Sequence, residues 1–365
     1  MPIKPELSAL YDIHTKHSAN FIDIGSFPGV TDYGDTDTEA MAVHTEAVIL
    51  DLSHRGKIKI TGKDAAALIH GQTTNDIKKL KTGEGCHTVM ISHKAKVLAD
   101  FYVYNMGEYL MLDTHRSDVE YLIEYLSKHR ISMEAELTDI TDKSAYMAVE
   151  GRFAKDVINT VFELDIDGIP QNGVVPHRYL DKIVYIMRHD WTKDAGAYIY
   201  ADKTLAAEIW QRLTDSGAKP IGLNAWDIVR LEMGEPRYGL ELDETIMPPE
   251  ANMEYAISYN KGCYVGQETI TRIKSYGHVN KNLFGFVLTD INKPPYKAKI
   301  MLNGIEEGYI TSSVYSPYFK AQLALGYLKR DGQAKFKENH DTVFEITADG
   351  YENTAKAKEL PFKYK

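Results

Sequence analysis

The stretch NKGCYVGQETITRIKSYGHVNK, Asn260–Lys281, holds one of only two cysteines in 365 residues. Lys261, Arg272 and Lys274 are cations that favour a thiolate at Cys263 if they converge on the sulfur. Gly262 and Gly266 open backbone conformations closed to other residues, and a structural helix would not choose two glycines here. Tyr264, Gln267 and Glu268 add an aromatic ring and polar groups. His278 is the only nearby histidine, so no Cys–His–Asp nucleophile set is evident. Cysteine is also a common small apolar core residue. The stretch is therefore either a built site or a tight structural corner.

Three other residues could carry chemistry. Asp100 sits inside the apolar run VLADFYVY (97–104). A carboxylate there is costly to bury unless it is hydrogen-bonded or its pKa rises; otherwise it faces solvent. Arg230 lies in NAWDIVRLEMG (224–234). Its guanidinium suits a carboxylate or a polar ring edge, or simply an exposed helix face. Trp191 is core or cavity wall. His54 and His70 are isolated on different elements and read as structural or surface histidines. HKAK (93–96) is a solvated basic turn on the same hairpin as Asp100. PPEAN (248–252) is a loop rim with no chemistry assigned.

Composition narrows the partners. Apolar residues make up 44% and charged residues 26%, the range of a globular protein. The net charge of −10 argues against a general nucleic-acid or anionic-membrane binder, though not against a local basic pocket. Cys86 and Cys263 are far apart and form no CxxC, so neither a disulfide framework nor a zinc site is expected. The N-terminus lacks a secretory pattern, and no apolar run reaches membrane-spanning length. These features point to a reducing, cytoplasmic setting.

The elements that must position these residues fall into three parts. VILDLSHRGKIKITG (48–62) offers two strands, with Lys57 and Lys59 alternating against isoleucines. KDAAALIHG (63–71) is a short helix ended by Gly71. CHTVMIS, VLADFYVYN and YLMLDT form three adjacent antiparallel strands. Residues 117–130 form an amphipathic helix capped by Ser117, with Val119, Leu122 and Leu126 on one face. Residues 1–45 read as a mixed entry segment with a loop over 25–40. The second part has strands AYMAVEG, KIVYIMRHD and AYIYA and helices FAKDVINTVF and TLAAEIWQRLTDSG. Beyond about residue 282 helix signals vanish and short strands suggest a small β-barrel. The expected domains are 1–140, 141–281 and 282–365, the first binding the ligand and the second ending in the cysteine motif.

Lys-Gly-Cys-Tyr-Val-Gly-Gln-Glu with Arg272 and Gly277 resembles, without a break, the signature of the YgfZ-type folate-binding proteins. These belong to the superfamily of the glycine-cleavage T-protein, an aminomethyltransferase. The likeness covers nearly the whole chain: 51–77 resembles the T-protein entry region, with Arg55 where Met is usual. Residues 229–244 resemble its Arg-Leu-Glu helix and Tyr-Gly loop, and 308–328 its C-terminal barrel motif. The resemblance implies an α+β fold: a three-domain, T-protein-like ring of two ferredoxin-like α+β units and a small C-terminal β-barrel, with folate in a central channel.

It also implies residue roles. Asp100 matches the second of the T-protein's paired aspartates, beside the reactive folate nitrogen; the first is Ala99 here. Arg230 matches the arginine of the Arg-Leu-Glu helix, and Trp191 a cavity-lining tyrosine. Tyr198 stands where a glutamate holds the pterin, Thr114 where an asparagine stands, and His87 where a tyrosine stands. A phenol cannot mimic a carboxylate that accepts two hydrogen bonds, so the pterin contacts must differ. The leading expectation is a tetrahydrofolate-binding, YgfZ-type protein supporting iron–sulfur cluster assembly or repair. Asp100 and Cys263 would be its working groups, Asp100, Thr114, Trp191, Tyr198 and Arg230 would bind folate, and no metal is held. Its partners would be folate and iron–sulfur assembly or client proteins, with neither nucleic acid nor membrane. The rival is a folate-dependent aminomethyltransferase or related demethylase. A third reading is a protein that holds folate or a partner without turnover.

Overall fold

The computed structural model describes residues 3–192, 194 and 196–363; for Tyr276 only the backbone is described. Lys193 and Ala195, within the stretch WTKDAGAYIY, lie outside the described residues. The chain separates into two compact units. One comprises the residues up to Thr88 with Asp100–Trp226; the other comprises Val89–Ala99 and the residues from Asp227 onward.

In chain order the strands before the barrel are β1 (Asn20–Ile24), β2 (Phe27–Asp32), β3 (Val48–Asp51), β4 (Gly56–Thr61), β5 (Gly85–Ile91), β6 (Val97–Asn105) and β7 (Leu110–Thr114). There follow β8 (Glu136–Asp139), β9 (Ser144–Glu150), β10 (Val174–Tyr179), β11 (Lys182–Arg188), β12 (Ala197–Asp202) and β13 (Lys219–Pro220). They build a hairpin, a six-stranded sheet ordered β10-β11-β12-β9-β3-β13, and a five-stranded sheet ordered β5-β6-β7-β4-β8. The expected run of three neighbouring strands is thus present as β5, β6 and β7.

Strand periodicity decides which side chains reach the site. Along β9, Met147 and Val149 face one way, as do Ala197 and Ile199 on β12; all four join the core with helices Ala154–Phe162 and Ala206–Asp215. The first helix buries Ala154, Val157, Ile158, Val161 and Phe162, a continuous apolar stripe at helical spacing. The second buries Ala206, Ile209, Trp210 and Leu213. Alternation then sends Tyr146, Ala148 and Glu150, with Tyr198, to the opposite face of the sheet.

The second unit ends in a closed barrel, β14-β17-β16-β15-β18-β19. Its strands are β14 (Lys281–Leu288), β15 (Lys299–Leu302), β16 (Ile305–Ser316), β17 (Ala321–Lys329), β18 (Val343–Ala348) and β19 (Tyr351–Lys358). Phe286, Ile300, Ala324, Phe344 and Ile346 fill its interior.

Several local expectations need correction. A helix, Arg330–Glu338, interrupts the all-β region; only Gly332 and Phe336 bury, which leaves little apolar periodicity to read. The loop expected over 25–40 is instead β2, paired with β1 before it, and the first half of helix Thr36–Thr45, whose N-cap Asp35 accepts from the backbone N–H of Asp37 and Thr38. Gly71 lies inside helix Ala65–Gln72, and Thr73 closes that helix by donating to the Ile69 carbonyl. Ser117 is no cap: a 3-10 turn, Arg116–Asp118, precedes helix Val119–His129, and the Ser117 hydroxyl donates to the Asp118 carboxylate. The apolar face Val119, Leu122 and Leu126 is buried as expected. The glycines of the cysteine motif do not exclude a helix but bracket one, Gln267–Tyr276, with Gly266 and Gly277 as left-handed caps at φ 80° and 72°.

Lys57 is the sharpest departure. It does not point to solvent from β4 but is fully buried. Its ammonium donates to the carbonyls of Ser53 (3.1 Å) and Arg55 (2.8 Å) and lies 5.3 Å from the Tyr146 ring centroid. Burial pulls its pKa down to about 8, although Asp113 opposes that shift. In the unfolded chain the amine keeps its proton to about pH 10.5. Folding therefore releases a proton between these values, and the Lys57 contribution to stability rises with pH through that window. The stability difference between the natural protein and Lys57→Met should shift by about 2 kcal/mol in favour of the natural protein from pH 7 to pH 9.5. Urea unfolding at several pH values checks this.

Candidate functional site

The two larger sheets of the first unit meet through polar side chains. Arg55, in the turn before β4, donates from Nε to Asp113 Oδ1 at 2.6 Å. Asp113 Oδ2, on β7, accepts from the Tyr146 hydroxyl of β9 at 3.1 Å. Asp113 and Tyr146 are fully buried. The turn that carries Arg55 is pinned from both sides: Asp51 accepts from the Ser53 N–H, and Lys57 holds the Ser53 and Arg55 carbonyls. His54 in this turn is neutral, its pKa pulled to about 3 by burial, which fits the structural role expected for it.

Beside this pair, Asp100 on β6 meets His87 on β5, with Oδ2 and Nε2 3.0 Å apart. Burial pushes the Asp100 carboxyl up, but the His87 hydrogen bond and the charges of His87, His115 and Arg55 outweigh it, so the group stays below its usual range. Asp100 Oδ1 is buried and has no hydrogen-bond partner among the described residues. Asp100 is thus an anion with one oxygen held and one uncommitted.

An aromatic series continues from there. The His87 ring stacks on Tyr102 (4.4 Å, 11°) and Tyr102 meets the edge of His189 (5.1 Å, 69°). His189 stacks on Tyr198 (4.3 Å, 6°), and Tyr198 stands edge-on to Tyr146 (5.4 Å, 87°). Burial keeps Tyr146 and Tyr198 protonated. At the end of β9, burial pushes the Glu150 carboxyl up; it accepts from the Thr192 hydroxyl at 3.3 Å.

The structure thus gathers Asp100 and Tyr198 into one polar seam. Thr114, the last residue of β7, donates to the Asp100 carbonyl at 3.5 Å. Trp191 stacks on Trp226 at 3.6 Å. Arg230 belongs to the second unit. It donates from Nε to Asp227, from Nη1 to the Glu235 carbonyl and Glu241, and from Nη2 to Ser312.

The cysteine motif also lies in the second unit. Cys263 is an exposed free thiol. Lys261 sits over the Tyr264 ring at 4.7 Å, Lys274 over Tyr259 at 3.8 Å, and Arg272 pairs with Glu268 at 3.0 Å along the helix. A side chain at Gly266 would place Cβ 2.5 Å from the Ser92 carbonyl. The packing of this motif therefore centres on a close backbone approach and on Tyr264, which is buried.

Residues 10–261 match the GCVT N-terminal domain family, and residues 281–363 match the glycine cleavage T-protein C-terminal barrel domain. The chain belongs to this family. An aminomethyltransferase from Chlorobium phaeobacteroides is 28% identical over 97% of this chain and 98% of its own length. One from Chloroherpeton thalassium is 29% identical, with 98% of each chain covered. In fold the chain is similar to a glycine cleavage system aminomethyltransferase T from Bartonella henselae, with a TM-score of 0.85, 21% identity and 97% of each chain covered. These findings overturn the expected iron–sulfur maintenance role and with it the YgfZ-type assignment. Apart from Lys261, the cysteine signature on which that expectation stood falls between the two matched spans, in residues 262–280. No helix among the described residues is long and apolar enough to cross a membrane.

Breaking the Arg55–Asp113 pair should be costly, because a guanidinium about one-fifth exposed loses the carboxylate it holds. Asp113→Asn should destabilise the protein by about 2–3 kcal/mol in denaturant unfolding, and Tyr146→Phe by about 1 kcal/mol. Equal effects from the two changes would contradict the pairing.

Proposed function

We propose that this protein is a tetrahydrofolate-dependent aminomethyltransferase. The observation that carries the reading is Asp100: an ionised carboxylate in the seam, with Oδ2 held by His87 and Oδ1 uncommitted. The full-length likeness to proteins named aminomethyltransferase supports it.

The polar atoms present fit a folate with altered contacts. Asp100 Oδ1, both ring nitrogens of His189 and Glu150 Oε1 are buried without hydrogen-bond partners in the described structure. Together they offer a donor–acceptor edge of the kind a pterin needs. The carboxylate that T-proteins place at the Tyr198 position is missing. Tetrahydrofolate, when bound, would supply two N–H groups that take up the one-carbon unit of a carrier-bound aminomethyl group, while ammonia and the carrier's thiol leave, each with one of the two protons.

The chain's own residues then have distinct tasks. Asp100 holds negative charge where positive charge develops, and Oδ1 can accept the proton shed by a nitrogen that gains a bond. His87 keeps that carboxylate ionised and fixes its orientation. Thr114 fixes the backbone of Asp100. Trp191 offers an aromatic wall, and Tyr198 lines the seam with its hydroxyl protonated. Arg230, in the second unit, holds its helix to the Glu241 loop.

Asp100→Asn keeps shape and hydrogen-bonding capacity but removes the charge. It should leave tetrahydrofolate affinity within a few-fold and slow one-carbon transfer by roughly 100-fold or more. Single-turnover transfer from an aminomethyl-loaded carrier protein, with binding measured separately, checks this. Absence of transfer by the natural protein would refute the reading itself.

A further inference from the structure

We propose that His189 is a specificity-determining residue, whose neutral ring reads the donor–acceptor edge of a bound planar heterocycle. The identity of that heterocycle as a pterin rests on the folate reading above; the recognition role of His189 does not.

His189 follows β11, and its backbone N–H is satisfied by the Gly196 carbonyl at 3.0 Å. The residue is 3% exposed. Its ring lies flat on Tyr198 and receives Tyr102 at a steep angle. Neither ring nitrogen has a hydrogen-bond partner in the described structure. Burial, with the nearby charges of His87 and Arg55, pulls its pKa to about 3, so the ring is uncharged at neutral pH. A neutral imidazole carries one N–H donor and one acceptor nitrogen. Here both are taken out of water with no return, which costs stability.

Packing alone does not account for this choice. A phenylalanine would stack on Tyr198 equally well and bury no polar atom. A buried polar side chain with nothing to bond calls for an explanation outside the packed chain. The neighbours indicate what it is. His189 is one ring away from His87, which holds Asp100, and its ring covers Tyr198. The two nitrogens of an imidazole point apart, so one of them meets the edge of the ligand. The ligand class that suits a single neutral donor or acceptor near the Asp100 anion is a planar ring with an amide or amino group at its edge, as in a 2-amino-4-oxopyrimidine.

The test is His189→Phe in the full chain, read by melting temperature without ligand and by calorimetric titration. The probes are tetrahydrofolate and p-aminobenzoylglutamate, which keeps the tail and lacks the pterin. Without ligand, the variant should melt about 2–4 °C higher, because two unpaired nitrogens are gone. Its affinity for tetrahydrofolate should fall at least about tenfold, with that for p-aminobenzoylglutamate unchanged. His189→Gln, which keeps a donor and an acceptor, should recover part of the loss. A lower melting temperature would overturn the proposal whatever the affinities, since the nitrogens would then be holding the fold. Unchanged tetrahydrofolate affinity would overturn it too. If the natural protein binds no tetrahydrofolate, the folate reading fails, and the melting shift alone decides whether His189 awaits another heterocycle.

Discussion

The buried pairing of Arg55 with Asp113 and Tyr146 is the constraint on which the first unit depends. It joins the five-stranded sheet to the six-stranded sheet through charge and hydrogen bonds where a sandwich would ordinarily bury hydrocarbon. A carboxylate this deep is tolerated only while its partners stay in place. The partners are in turn held by a turn whose carbonyls are tied to the buried ammonium of Lys57. Apolar packing on the outer face of β9 and β12 fixes the register, and register decides which side chains face the seam.

With the pair in place, the rest of the seam can stay polar without collapsing. Charge is concentrated at Asp100, Asp113 and Arg55, while His189, Tyr146 and Tyr198 are neutral for one shared reason, burial, which also pushes the Glu150 carboxyl up. A surface of neutral donors and acceptors beside one anion suits a ligand that is uncharged at its ring edge and becomes positive where it reacts. The fold leaves that chemistry open, since one scaffold hosts many reactions. The proposed one-carbon transfer draws on Asp100 and its partner His87.

Much of the fold was legible in the sequence because its signals are local. The strands around Asp100, the apolar face of Val119–Leu122–Leu126 and the terminal barrel all follow from periodicity. Helix Arg330–Glu338 was not, because its buried face is Gly332 and Phe336 alone. Lys57 alternates with isoleucines like any exposed lysine, and only the facing sheet makes it interior. In the site, Asp100 stood out as a charge in an apolar run. Asp113 in YLMLDT carries the same signal. His189 shows nothing in sequence, since the end of a strand is an ordinary place for a histidine and its two unfilled nitrogens exist only in three dimensions. The cysteine signature misled for the opposite reason: as a string it is distinctive, yet its packing centres on Gly266 and Tyr264, and the exposed sulfur is not part of that packing.

A crystal structure with tetrahydrofolate bound is the most direct test of the account. It should show the pterin edge within hydrogen-bond distance of His189 and a folate nitrogen near Asp100 Oδ1, with the Arg55–Asp113 pair intact. A pterin bound away from this seam, or a seam that excludes it while the protein still transfers one-carbon units, would contradict the account.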